Sequence, residues 1–297
     1  MSRNRKRIQI PQNQSTPKKQ APIPPQAVKQ TEQGNPFGIS FVVPTETVKL
    51  PSAGALYDEN SPLKGLMEVE VKAVTAAEED IMINDSYIQQ GVVFDRLIDA
   101  IMLTPNVRSQ DMMDCDKIAV LMSARKTGYG DKVDFNVQCD GCDHNYEMQV
   151  SLESVLASVG ENTYSPSSGE GWEFLADSNT FSFQLPSTEL EVSMKLMSPG
   201  DIKDFDSAKK QKERLNLPFN ETIEFLRTVI VSVQGITDKS SINKLAEILP
   251  AIDARKIRAV HNKNIPKIET AQETICPNCG LEQEKEVPFS LGWFWSE

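Results

Sequence analysis

At 297 residues the chain is long enough to bury a substantial apolar core, and 39% apolar with 25% charged residues is ordinary for a folded protein. No apolar run is long enough to span a bilayer, and the basic start has no apolar stretch behind it, which argues against a secretory leader and for a reducing cytoplasm. Residues 1–38 carry seven Lys/Arg against one acid, which leaves −17 on residues 39–297 of a chain whose net charge is −11; an acidic body argues against broad nucleic-acid binding.

Residues 1–38 are rich in Gln, Pro and Lys around Pro22-Ile23-Pro24-Pro25 and lack apolar periodicity. They are expected to be a disordered basic tail, either an electrostatic tether to a partner or simply solvated. Order should begin near Phe41-Val42-Val43, and the turn-rich Leu50-Pro51-Ser52-Ala53-Gly54-Ala55-Leu56-Tyr57 reads as a loop. Met67 to Val74 alternates apolar and polar residues, as a half-buried strand does. Thr75-Ala76-Ala77-Glu78 has the pattern of a capping box opening a short helix through Ile81 and Met82, broken at Gly91. The neighbouring acids Glu78 and Glu79 suit the positive end of a helix. Val92 to Leu103 predicts a second amphipathic helix. Asp114 caps a third, with Ile118, Leu121, Met122 and Arg125 on one face and Gly128 as its stop.

Val133, Phe135 and Val137 alternate into Cys139-Asp140-Gly141-Cys142, and Tyr146, Met148 and Val150 alternate out, which predicts a hairpin with an exposed tip. Residues 160–171 read as a flexible connection, and Phe181–Leu185 with Leu190–Leu196 as a strand pair turning at Pro186-Ser187. Ser198-Pro199 is an N-cap and first-turn pair opening a helix to Leu215. Glu221 to Val233, Ser241 to Leu249 and Ala251 to Val260 follow as helices, the last two split by Pro250. The chain closes with Cys276-Pro277-Asn278-Cys279 and Trp293-Phe294-Trp295, an aromatic end suited to an interface or to packing. Helices followed by a Cys-x-x-Cys hairpin occur twice, an echo of duplication. The expected fold is α+β, a mainly helical body with two zinc-knuckle hairpins brought together into one four-cysteine site. Its expected divisions are the tail 1–38, an α+β half 39–152, a linker with strands 153–188, and a mainly helical half 189–297, with 39–297 as one composite unit.

Thiolates are soft ligands, and two Cys-x-x-Cys turns supply a closed tetrahedral set, so Cys139, Cys142, Cys276 and Cys279 are the candidate ligands of one structural Zn2+ per chain. The 133 residues between Cys142 and Cys276 require a fold that returns the chain, and would give the ion a large loop to close. A redox dithiol is the alternative, but neither pair opens a helix that would lower a thiol pKa. His144 crowds Cys142 too closely for a tetrahedral set and reads as a solvent-facing strand residue. Cys115 reads as a small buried apolar group. No P-loop, G-x-S-x-G or H-E-x-x-H occurs, so no catalytic residues are assigned.

Four stretches, in order and spacing, resemble a known family: Leu50 to Tyr57, Val74 to Ile81, Arg125-Lys126-Thr127-Gly128-Tyr129-Gly130 running into Cys139-x-x-Cys142, and Cys276-Pro277-Asn278-Cys279-Gly280 near an aromatic end. Together they look like the baseplate hub subunit or hub-assembly family of T-even-type contractile-tail phages, over residues 40–297. The resemblance implies a non-enzymatic structural or assembly protein with hub or tail-assembly proteins as partners. It implies no membrane and no small-molecule substrate, and a location in the host cytoplasm during assembly or in the virion baseplate. A nucleic-acid-binding zinc ribbon is the rival reading, opposed by the acids Asp140, Asp143, Glu282 and Glu284 around the turns; a dithiol oxidoreductase is the second rival.

Overall fold

The computed structural model describes residues 43–161 and 164–286. The basic run at 1–38 and the closing Trp293-Phe294-Trp295 lie outside them, and the expected onset of order at Phe41 is described only from Val43. The described residues carry nine α-helices and four small antiparallel sheets, the α+β architecture expected. None of these helices is long and apolar enough to cross a membrane.

Strand β1 (Thr45–Lys49) pairs with β2 (Glu68–Lys72), placing Val48 opposite Val69 and turning Val48, Val69 and Val71 into the core. Sequence reading found β2 and missed β1, whose Thr-Glu-Thr-Val-Lys carries only one apolar residue. Helix α1 (Ala76–Met82) begins at the expected capping box: the Glu78 carboxylate accepts the Thr75 backbone N–H at 3.0 Å. Glu78 is more than a charge at the helix end, because it is buried and paired with Lys72 Nζ at 2.8 Å. A separate short helix, α2 (Asp85–Gln90), follows because the Asn84 carboxamide accepts Ser86 N–H at 3.0 Å and restarts the spiral. Helix α3 (Val93–Ile101) buries Val93, Leu97, Ile98 and Ile101.

Helix α4 (Asp114–Tyr129) is the central element, buried almost all round from Ala119 to Arg125 rather than on one stripe. It does not stop at Gly128. It ends at Gly130, whose φ of +99° an L side chain resists. Gly128 is instead a place of close approach, since a Cβ there would lie 3.2 Å from Val74 Cβ.

The stretch Leu50–Tyr57 is a turn-rich loop as expected, but a buried one, held from α4. Asp116 is 0% exposed, and its carboxylate accepts Ser52 N–H at 3.0 Å, Ser52 Oγ–H at 2.6 Å and the Tyr57 hydroxyl. Tyr57 Oη in turn accepts the Met113 N–H at 2.9 Å. Burial pushes the Asp116 pKa up, and the bonds from Ser52 and Tyr57 oppose that shift. Burial, then the Asp116 charge, also raises the Tyr57 pKa, so its hydroxyl stays a donor.

The predicted hairpin is present as β3 (Lys132–Gln138) and β4 (Asn145–Ser151). Helix α5 (Leu152–Glu161) starts directly from β4 where a linker was expected; Asp131 and Ser151 side chains accept Glu153 N–H and Ser154 N–H at its start. Strands β5 (Glu173–Leu175), β6 (Thr180–Gln184), β7 (Glu191–Met194) and β8 (Ile230–Val233) form the largest sheet, in that order. Ser198 caps α6 (Pro199–Arg214) as predicted. The helix expected over Glu221–Val233 is divided: α7 (Glu221–Val229) gives way to β8, because the β-branched run at 229–231 favours extension and Val233 meets Val192 across the sheet. Helices α8 (Lys239–Ile248) and α9 (Ala251–Asn264) flank Leu249 and Pro250. Asp253 on α9 is buried and accepts Ser187 N–H at 2.8 Å and Thr188 N–H at 3.1 Å, fastening the β6–β7 turn. Strands β9 (Ala271–Ile275) and β10 (Glu282–Glu286) close the described chain as the second expected hairpin. One continuous apolar cluster runs from Val48 to Val260.

Candidate metal centre

Two hairpins position the four cysteines. In the first, pairing ends at Gln138 opposite Asn145; in the second, at Ile275 opposite Glu282. Each leaves a loop that begins with a cysteine and repeats one hydrogen-bond pattern. Cys139 N–H donates to His144 O at 2.9 Å and accepts Asp143 N–H at its own carbonyl at 3.0 Å. Cys276 N–H donates to Leu281 O at 2.9 Å and accepts Gly280 N–H at 2.9 Å. The fifth loop residue is left-handed in both, Asp143 at φ +56° and Gly280 at φ +72°. This turn aims both sulfurs of each pair to one side.

The two tips meet. Cys139 Sγ lies 3.6 Å from Cys279 Sγ, Cys142 Sγ lies 3.7 Å from Cys276 Sγ, and all four sulfurs lie within 4.8 Å of one another. These separations far exceed a disulfide bond of about 2.05 Å, and the cysteines are free thiols. Cys139 and Cys276 are 0% and 1% exposed, so the tips are half hidden rather than exposed; of the four cysteines only Cys279 is exposed.

Further contacts join the hairpins around the sulfurs. Gln283 accepts Asp140 N–H at 3.0 Å and donates to Tyr146 Oη at 2.8 Å. Lys285 Nζ pairs with Asp140 Oδ1 at 2.6 Å. Gly141 is a place of close approach between the tips, since a Cβ there would lie 2.9 Å from Cδ2 of the exposed Leu281 side chain, which would have to shift. The apolar support is small: Cys139, Tyr146 and Cys276, with Val137 and Cys142 packed against them, separate from the main core.

Gly141 N–H points at Cys139 Sγ at 3.4 Å, and Asn278 Nδ2 at Cys142 Sγ at 3.5 Å. The Asn278 donor, followed by the His144 backbone N–H, draws the Cys142 thiol down to about 6. The Leu281 backbone bond acts the same way on Cys279, but the bond with Cys142, then desolvation, then bonds with Cys139 and Cys276 outweigh it and push that thiol up to about 12. Four sulfurs this close cannot all ionise without a cation among them. The set could therefore hold one metal ion, with Cys139, Cys142, Cys276 and Cys279 offering one sulfur each.

His144 is exposed and lies one residue before β4; it serves the turn through its backbone. Cys115 is buried at the start of α4, with burial and the adjacent Asp116 raising its pKa. Asp116, Gln283 and Lys285 escaped sequence reading. For Gln283 and Lys285 the alternation of β10 was a signal, because they point to the side opposite Glu282, Glu284 and Glu286. A family model described as T4 bacteriophage base plate protein matches residues 43–294. No curated protein and no solved structure matches the chain.

Proposed function

This chain belongs to the T4 bacteriophage base plate protein family, and we propose that within the phage tail baseplate it is a non-enzymatic part of the hub or of hub assembly, fastened internally by one zinc ion. The coarse role, a structural protein of the tail baseplate, comes with the family match. The hub placement draws on the order and spacing of the Leu50–Tyr57 loop, the Thr75 capping box, the Gly128–Gly130 turn and the paired cysteines. Its partners in this reading are other hub or tail-assembly proteins, met in the host cytoplasm during assembly or kept in the virion.

The observation that carries the zinc reading is the meeting of four sulfurs from hairpins 134 and 140 residues apart in sequence. Tetrahedral coordination at a Zn–S distance of about 2.3 Å places sulfurs about 3.8 Å apart. The cross-hairpin separations of 3.6 and 3.7 Å are close to that value, and all four sulfurs lie within 4.8 Å of one another. An ion there would supply two positive charges to stabilise the thiolates, and a closed four-sulfur set leaves it no open position for catalysis. Gly141 N–H and Asn278 Nδ2–H supplement it from the protein side. Residues 39–297 would then act as one composite unit closed by that ion.

Metal analysis of the purified chain tests this. One zinc per chain, lost alike in Cys139→Ser and Cys276→Ser, is expected; two zincs, or none, would overturn the shared site. Deleting the gene from its phage should leave capsids and baseplate wedges without complete baseplates, and normal tails in that mutant would remove the hub reading.

A further inference from the structure

The outward side of α9 and the outward side of the β9–β10 hairpin carry opposite, unbalanced charge. On α9 the buried residues Asp253, Ala254, Ile257, Val260 and His261 face the core. Arg255, Lys256, Arg258 and Lys263 lie on the other side, three exposed and Lys256 half-buried. None of the four has an ion-pair partner among the described residues; Arg258 donates only to Thr222 Oγ1, and Lys256 and Lys263 lie over the Trp172 ring. This basic face stands on a chain whose residues 39–297 sum to −17.

The hairpin presents the converse. Glu282, Glu284 and Glu286 alternate onto the exposed face of β10, and Glu273 on β9 stands directly opposite Glu284. Like charges directly opposed across strands are destabilising, and none of these four carboxylates is ion-paired within the described residues. The two faces also match in length. Arg255 to Lys263 spans about 12 Å along a helix, and Glu282 to Glu286 about 14 Å along a strand.

We propose that these faces dock on each other between copies of this chain, the basic side of α9 on one copy seating against the Glu273–Glu284 face of the β9–β10 hairpin on the next. Both surfaces belong to every copy and differ from one another, so used once per neighbour the contact builds a ring or an open chain, and used reciprocally across a two-fold axis it closes a pair. Cations from α9 would neutralise the opposed glutamates, which no described residue of the same chain does. A nucleic acid is the less suitable occupant, because the acidic remainder of the chain repels a polyanion at long range. The cysteine set is untouched by the contact, so its metal content can be followed separately.

Sedimentation velocity of the full chain at physiological salt provides the test. The wild type should associate with concentration, and Arg255→Glu/Arg258→Glu or Glu282→Lys/Glu284→Lys should each weaken association by at least about tenfold. Circular dichroism and metal content confirm that the variants fold. Mixing the two charge-reversed variants should restore association that neither shows alone, because acidic α9 then meets a basic hairpin. A monomeric wild type, association insensitive to both reversals, or a mixture that stays monomeric would overturn the proposal. So would a wild type that remains monomeric but binds duplex DNA through Arg255 and Arg258.

Discussion

Two fasteners hold distant parts of this chain, and they work by different chemistry. Asp116 grips Ser52 across 64 residues from inside the main apolar core, with Tyr57 as a third party. The cysteine turns join segments 134 residues apart with scarcely any core of their own. Around Asp116, packing by neighbours such as Leu50, Leu56 and Met113 would persist if the carboxylate were lost. Around the cysteines, β9 and β10 offer half-buried or exposed side chains, and an isolated two-stranded hairpin is marginal in water. The carboxylate therefore specifies the position of a loop that packing already favours, whereas a metal held by the four sulfurs would supply most of the reason its second hairpin is ordered.

Removing the proposed ion should have the largest effect, and a local one. Structural zinc binding in small peptides is worth about 10–16 kcal/mol. Chelation at neutral pH, or Cys276→Ser, should bring the amides of Ala271–Glu286 to nearly unprotected hydrogen exchange while α4 stays protected. Equal loss of protection in both regions would break the contrast and make the two fasteners one cooperative unit.

Asp116→Ala comes next. It orphans a buried backbone N–H and two hydroxyls, for an expected loss of about 3 kcal/mol in denaturant-derived stability. Tyr57→Phe, which removes one donor from Asp116 and the acceptor of Met113 N–H, should cost about 1–2 kcal/mol. Neither change should alter metal stoichiometry. A loss of zinc in Asp116→Ala would show that the core loop and the hairpins are coupled.

The contrast also explains what the sequence revealed. The clustering of the four cysteines was legible because two Cys-x-x-Cys pairs sit between alternating runs, and two such pairs complete one four-sulfur set. The Asp116 lock was not, because an aspartate in a helix's first turn has a sufficient local explanation; Asp114, expected as the cap but found as the first helical residue behind Met113, looks no different in sequence from its neighbour. Gly128 misled for a related reason: local preference makes glycine a helix stop, and only the distance to Val74 discloses a packing role. At Ile230–Val233 an apolar run served helix and strand alike until Val192 and Ser193 supplied partners. What stayed hidden depends on contacts distant in sequence.

Acid should act on the two regions through different groups. His261 is buried, its Nε2 accepts Met197 N–H at 3.3 Å and its ring meets Phe225 edge-on at 5.1 Å. Burial lowers its pKa, only partly offset by Asn262. Below the unfolded value of about 6.5 the unfolded chain binds a proton that the fold does not. Core stability should then fall with decreasing pH by up to about 1.4 kcal/mol per unit, and remain full above it. In the hairpins, protons would compete with the proposed zinc for the four sulfurs. A His261→Phe variant should flatten the pH dependence of α4 exchange and leave that of β9–β10 unchanged; a slope preserved in α4 would assign the acid sensitivity elsewhere.

The smallest effect separates the two cysteine turns themselves. They share their hydrogen bonds, yet the left-handed position is Asp143 in one and Gly280 in the other. An added Cβ at Gly280 meets nothing within 4 Å, so Gly280→Ala carries only the backbone penalty of a left-handed L residue, about 1 kcal/mol. Zinc affinity, measured by chelator competition, should fall about fivefold. Aspartate tolerates this conformation better than most residues, so Asp143→Gly should shift affinity by less than about twofold, towards tighter binding. Were Asp143→Gly instead to weaken zinc as much as Gly280→Ala, Asp143 would be contributing through its side chain. The two turns would then be alike in backbone but unequal in how they hold the metal.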